Sequence, residues 1–195
     1  MSRKINPAEM VDSYRKRLLQ VLQNDLPENI SVLCSSLEVA GKNNRNVFVC
    51  GNGGSAANAE HIVNDMVLYT GNQVDGAVSA ESLVSNGATL TCVANDFSYD
   101  DVFLRQLKVK AKSGDLLLVL SGSGNSENVV KAIDYGNKIG METFAVLGFD
   151  GGKCKKIATY SIHFSVNDMQ VSEDLQLVVG HMCMKYLKQN TLEKT

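Results

Sequence analysis

Tryptophan is absent from the 195 residues, proline occurs twice and histidine only three times. No apolar run approaches the roughly 18–20 residues of a membrane span; the longest, Leu116-Leu117-Leu118-Val119-Leu120, is strand-sized. An apolar leader core is also missing, since Ser2-Arg3-Lys4 runs into the mixed stretch Ile5-Asn6-Pro7-Ala8-Glu9, and a cytoplasmic protein without a membrane partner is expected. Neither sign of charge dominates: 19 basic and 21 acidic groups leave −2, too little positive charge to hold nucleic acid by bulk electrostatics. The five cysteines (Cys34, Cys50, Cys92, Cys154, Cys183) are odd in number and scattered, with no CxxC pair. A disulfide framework and a cysteine-zinc site are therefore both disfavoured, and reduced, mostly buried thiols are expected. What remains, 44% apolar and 21% charged, suits one domain with a sizeable core and excludes a disordered chain.

Periodicity divides the chain into an N-terminal helical arm (1–42) and an α/β core with a closing helix (43–195). Met10, Tyr14, Leu18, Val21 and Leu22 recur at helical spacing behind Pro7, a tolerated first-turn proline. Pro27 breaks the run; Ile30, Leu33, Cys34 and Leu37 restart it, and Gly41 is expected as C-cap. Strand, glycine turn and helix then follow in order: Asn46–Cys50, Gly51–Ser55, Ala56–Tyr69. The unit recurs as Asp115–Leu120, Ser121–Ser126 and Asn128–Ile139, with a helix over Leu104–Lys112 between the two. Ala77-Val78 and Thr89–Val93 fit a strand or a short helix. Thr143–Leu147 and Ser161–Val166 read as further strands, and a last helix spans Ser172–Lys188, capped by Ser172 or Asp168. Such alternation with apolar, β-branched strands implies a three-layer open parallel sheet flanked by helices, with ligands outside the carboxyl ends of the strands.

Both glycine and serine turns fall at that edge. Glycines let backbone N–H groups approach an anion, the helix N-terminus adds partial positive charge, and hydroxyls add donors. Neither turn has the lysine of a nucleotide triphosphate loop, so Ser121-Gly122-Ser123-Gly124-Asn125-Ser126 suits a phosphomonoester. His61 and Asp65, four apart, share a helix face, as do Glu173 and His181, eight apart, with Gln176 between them on nearly the same stripe. One imidazole and one carboxylate from each helix would make a four-ligand N/O site suited to zinc. His163, inside an alternating strand, reads as structural.

These segments resemble a known family. Strand-SGSGNS-helix, preceded by strand-GNGGS-helix, looks like the SIS (sugar isomerase) domain, a nucleotide-binding-like sandwich that holds phosphosugars. More narrowly, Gly51–His61, Ala94–Phe97, Gly124–Ser126 and Gly148–Lys153 resemble the phosphoheptose isomerases, over nearly the whole chain. The resemblance implies aldose–ketose isomerisation of sedoheptulose 7-phosphate to D-glycero-D-manno-heptose 7-phosphate through an enediol. It further implies a homotetramer with sites at subunit contacts and a role in lipopolysaccharide or capsule heptose synthesis. It puts the sugar phosphate on Asn52, Gly53, Gly54, Ser55, Asn95, Asp96, Ser121, Gly122, Ser123 and Ser126. A divalent metal, zinc in the family, would be held by His61, Asp65, Glu173 and His181, with Asp65 as first-choice base, Glu173 in reserve and His181 as a further acid. The chain departs from the family pattern where Asp65 replaces a glutamate, Glu173 a glutamine and Gly122 a threonine, and where Gln170-Val171-Ser172 lacks the arginine and isoleucine that usually precede that glutamine. An isomerase or epimerase for another phosphosugar, or a non-catalytic phosphosugar-binding protein, are the alternatives.

Overall fold

The computed structural model describes residues 6–24, 26–71 and 76–192; Arg3 and Lys4 lie outside them. In chain order the helices are α1 (Pro7–Gln23), α2 (Asn29–Lys42), α3 (Gly54–Thr70), α4 (Gly87–Asp96), α5 (Val102–Lys110), α6 (Glu127–Ile139), α7 (Cys154–Ile157) and α8 (Met169–Leu192). The strands are β1 (Asn46–Gly51), β2 (Ser79–Ser82), β3 (Leu116–Ser121), β4 (Glu142–Leu147) and β5 (Tyr160–His163), in sheet order β2-β1-β3-β4-β5. Every neighbouring pair is parallel. The central strands β1, β3 and β4 are buried almost throughout, as a sheet covered on both faces requires.

Alternation along those strands builds two cores. Val49, Leu118 and Val146 pack with apolar side chains of α2, α3 and α8. Cys50, Val119 and Ala145 point the other way, toward α5, α6 and Cys154 of α7. Four cysteines are buried and only Cys92 is exposed, all five as free thiols. None of the described helices is long and apolar enough to cross a membrane.

Several elements differ from the sequence reading. The helical arm breaks at Pro27 as expected, but its halves are buried unequally: α2 buries Ile30, Leu33 and Leu37 in the first core, whereas α1 has no fully buried residue. Gly41 lies inside α2, where a Cβ would strike the backbone of Gly76, and Asn43 is the C-cap. The strand near 77–78 falls at Ser79–Ser82, and Thr89–Val93 belongs to α4, capped by Asn86 accepting from Thr89 N. Asp168, not Ser172, takes the capping role on α8, accepting from Val171 N at 3.2 Å.

The feature that positions the site is the pairing of α3 with α8. Each follows a strand of a parallel sheet, so the two helices run in the same direction, and equivalent heights meet. Glu173 lies over Gly54, Gly180 over Ile62, and Lys188 over the Tyr69 ring. A Cβ on Gly180 would stand 2.6 Å from Ile62 Cγ1, so glycine is what lets the helices approach this closely. Asn58 Nδ2 donates to Gln176 Oε1 at 3.0 Å, and Gln176 Nε2 donates to Ser55 Oγ at 3.0 Å, an amide clasp across the seam.

We expect Gly180→Val to lower stability by about 1–3 kcal/mol through overpacking, read from urea unfolding. A second expectation concerns α1, which is tied to α8 by Tyr14 donating to Asp174. Burial, then this bond, push the Tyr14 phenol from 10.0 up to about 12. The neutral phenol is the docking form, so the contact is intact below pH 10 and is lost as pH rises toward 12. Proteolysis of α1 measured against pH should show that alkaline step, and Tyr14→Phe should remove it.

Candidate active site

At the carboxyl edge of the sheet, the β1–α3 and β3–α6 turns enclose a cavity of about 290 Å³. Asn52, Gly53, Gly54, Ser55, Ser121, Gly122, Ser123 and Ser126 line it, together with Leu120, Met169 and Glu173. The hydroxyls are oriented by bonds they already accept: Ser121 Oγ from Gly124 N at 3.0 Å, Ser55 Oγ from Gln176, and Ser123 Oγ from Asn125 N at 3.3 Å. A hydroxyl that is accepting still has its proton to give. Ser126 stands at the N-cap of α6 with no capping bond, so its hydroxyl is free to serve a ligand. With the N-termini of α3 and α6 aimed at the same space, the cavity is a cradle of donors for an anion. Gly124, at φ +64°, holds the second turn where a Cβ would collide with the Gly151 carbonyl.

Eight of the ten expected substrate residues meet here. Asn52, though on the wall, has its amide engaged: it donates to Asn128 Oδ1 at 2.8 Å, and its oxygen accepts from Asn128 and from Tyr99 Oη. Its part is to join the two turns. Asn95 and Asp96 line none of the described cavities. They end α4, bonded to each other at 2.8 Å, and the Asn95 amide with the Cys92 thiol holds the Asp96 carboxyl below its usual range. Tyr99, a few residues on, reaches the first turn instead, its Oη donating to Asn52 Oδ1 at 2.8 Å.

Two turns along the α3–α8 seam, His61, Asp65 and His181 converge. The two Nε2 atoms are 3.0 Å apart, and Asp65 Oδ2 lies 3.5 Å from His61 Nε2 and 3.7 Å from His181 Nε2. Ligands about 2.0–2.1 Å from a tetrahedral zinc-sized cation would stand roughly 3.3–3.4 Å apart. The donor set and its spacing fit a divalent metal. The same two nitrogens that share a hydrogen bond across 3.0 Å would turn their lone pairs to a cation placed between them. Side-chain exposures of 47% and 52% for His61 and His181 leave positions open for a ligand. The group lines a separate cavity of about 530 Å³ with Tyr69, Met184, Lys185, Lys188 and Gln189.

Glu173, expected as the fourth ligand, stands apart from this triad. Eight residues return a helix to the same face but advance it about 12 Å, and the carboxylate is seated over Gly54 in the anion cradle. His163 is structural: Nε2 faces the Phe149 carbonyl at 3.0 Å and Nδ1 faces Lys155 Nζ at 3.0 Å. Asn128, Met169 and Tyr99 were not found from sequence. None of the three carried a signal in the sequence: Asn128 shares α6 with a second amide, Asn137, and nothing in the pattern tells them apart.

The SIS domain family matches residues 12–148. The phosphoheptose isomerase of Helicobacter pylori (strain P12) is 32% identical over 179 residues, 92% of this chain and 91% of that protein. That of Akkermansia muciniphila is 35% identical over 156 residues, 80% of each. Among solved structures, the phosphoheptose isomerase GmhA from Neisseria gonorrhoeae superposes with a TM-score of 0.85 at 26% identity, covering 92% of this chain and 97% of that one. A phosphoheptose isomerase from Francisella tularensis gives 0.86 at 23% identity over 95% and 100%, which speaks for the fold.

His61→Ala and His181→Ala should each cut bound divalent metal at least tenfold in metal analysis of folded protein, while Ser126→Ala should leave metal content unchanged.

Proposed function

The chain belongs to the phosphoheptose isomerase family of SIS-domain proteins, and from that premise we propose that it interconverts sedoheptulose 7-phosphate and D-glycero-D-manno-heptose 7-phosphate. The single observation that carries this reading is an anion cradle and a His-His-Asp group along one helix seam. From Ser55 to His61 the helix rises about 9 Å, a span comparable to an extended seven-carbon phosphate ester.

The phosphate takes the protons offered by Ser55, Ser121, Ser123 and Ser126 and the N–H groups opening α3 and α6. Binding energy at this unreacting end orients the carbonyl end. Asp65 is the base. Its Oδ2 faces both imidazoles, which leaves Oδ1 to take the proton from C1 of the ketose. The resulting enediol recovers a proton at C2, and the carbonyl then stands at C1. His181, on the facing helix, is placed to move the proton between the two oxygens. A divalent cation held by His61, Asp65 and His181, zinc by family resemblance, would supply a Lewis acid for the oxyanion that develops.

A homotetramer is part of the proposal. Met10, Val11 and Leu19 on α1 and Val67 and Leu68 on α3 are exposed apolar side chains that a neighbouring subunit would cover. Light scattering after size exclusion should return a multiple of the 21.1 kDa chain mass.

Metal-replete protein should convert sedoheptulose 7-phosphate faster than other sugar phosphates in a panel and lose the activity on chelation. Asp65→Asn should lower kcat about 10²–10⁴-fold, the usual share of general base catalysis. Full activity in both His61→Ala and His181→Ala would overturn the assignment.

A further inference from the structure

His163 lines none of the described cavities, yet its ring is held on three sides. It ends the edge strand β5, beside Leu147 at the end of β4. Nε2 lies 3.0 Å from the Phe149 carbonyl oxygen and Nδ1 lies 3.0 Å from Lys155 Nζ. A carbonyl oxygen only accepts and an ammonium only donates, so the two partners fix one neutral tautomer, with the proton on Nε2. The ring also packs on Gly151, its Cδ2 standing 3.2 Å from where a Cβ would be. Phe149 is itself strained. At φ +45° it is, with Asn44, one of two non-glycine residues of positive φ among those described. A bulky side chain holds that conformation only when its surroundings impose it. Both backbone polar groups of Phe149 are engaged: the N–H donates to Val166 O at 3.0 Å, and the carbonyl accepts from His163.

The segment around Phe149 is bonded to the second glycine and serine turn. Gly148 N donates to Gly122 O at 2.9 Å, Lys153 N to Asn125 Oδ1 at 3.1 Å, and Cys154 N to Gly124 O at 2.9 Å. That turn, Ser121–Ser126, carries no charged side chain. Its hold on an anion therefore depends on where its N–H and hydroxyl groups point. We propose that His163 is a positioning residue for phosphate: its Nε2–H clamps the strained Phe149 carbonyl, and the segment so held braces the Ser121–Ser126 turn in its anion-binding form. The inference rests on the cradle being the phosphate end of the site, and adds to it a residue that never touches the ligand. Released from the clamp, Phe149 leaves its strained conformation, and the bonds from Gly148 on one side and Lys153 and Cys154 on the other lose their register with the turn. Lys155 acts on the same clamp, since by occupying Nδ1 it keeps the proton on the nitrogen that faces the carbonyl.

The test compares wild type with His163→Phe, which keeps a ring and loses both polar contacts, and with His163→Gln, whose amide offers an N–H to Phe149 and an oxygen to Lys155. Each is full-length, metal-replete protein, assayed with sedoheptulose 7-phosphate and titrated calorimetrically with the same ester. His163→Phe should raise KM and Kd about tenfold, the contribution of one hydrogen bond to a charged group. Its kcat should change far less, as for a loss of binding shared by ground and transition states, and bound metal should stay as in wild type. His163→Gln should recover most of the lost affinity. A lowered urea midpoint with unchanged KM and Kd overturns the proposal, as does a loss confined to kcat, or a His163→Gln no better than His163→Phe. If His163→Phe does not fold, Lys155→Met, at an exposed position, takes its place: it should raise Kd about threefold, and an unchanged Kd there overturns the proposal. If wild type binds the ester without turning it over, the isomerase reading fails while the Kd values still judge His163. If wild type binds no ester, the cradle reading falls and this proposal with it.

Discussion

The close parallel contact between α3 and α8 is the constraint on which the site depends. Its two helices come from opposite ends of the core, so nothing local in the chain brings His61 to His181. The missing Cβ at Gly180, the Ile62 side chain set against it, and the Ser55–Gln176–Asn58 clasp fix both the separation and the register. A slip of one turn would move the imidazoles about 5.4 Å apart along the seam and dissolve the donor set. The half-exposed imidazoles contribute little burial of their own. Their geometry is inherited from the packing beneath them, where Ile62, Val179 and Cys183 are almost wholly buried.

That dependence explains which parts of the molecule could be read from sequence. The strand–turn–helix units were legible because two periodicities meet at a glycine-rich turn, and because buried parallel strands must be apolar on both faces. His61 and Asp65 were legible as an i, i+4 pair. Face and height are different quantities, however, and a helical stripe reports only the first. Glu173 shares a stripe with His181 and stands about 12 Å away along the axis, so the sequence pattern joined two groups that the helix separates. β2 was misplaced for another reason: Ser79-Ala80-Glu81-Ser82 carries almost no apolar signal, and its strand character comes from pairing with β1. Asn128 and Gln176 were opaque because a polar residue on a helix looks the same whether it faces water or clasps a neighbour.

The seam also sorts the chemistry by polarity. At its start the protein offers protons: serine hydroxyls already accepting from fixed donors, and two helix N-termini. Farther along it offers lone pairs: two imidazole nitrogens and a carboxylate oxygen within 3.7 Å of one another. An elongated molecule with an anion at one end and an oxygen-rich, electron-poor carbon at the other fits this gradient in one direction only. Orientation is therefore set before any proton moves, which is where remote binding energy is most effective.

The shorter carboxylate at position 65 can be understood in the same terms. Asp65 Oδ2 stands nearly equidistant from both imidazole nitrogens, which requires the carboxyl carbon to stay close to the α3 backbone, between the two rings. A side chain with one more methylene would have to fold back to reach the same point, or would carry its carboxylate past the imidazoles toward the open cavity. Aspartate keeps Oδ2 with the rings and, in the proposed mechanism, leaves Oδ1 for the substrate. Since an error of about 1 Å in a proton-transfer group can cost roughly 10²-fold in rate, the substrate carbon must come to the carboxylate. The narrow seam that places His61 opposite His181 is what limits how far away that carbon can lie.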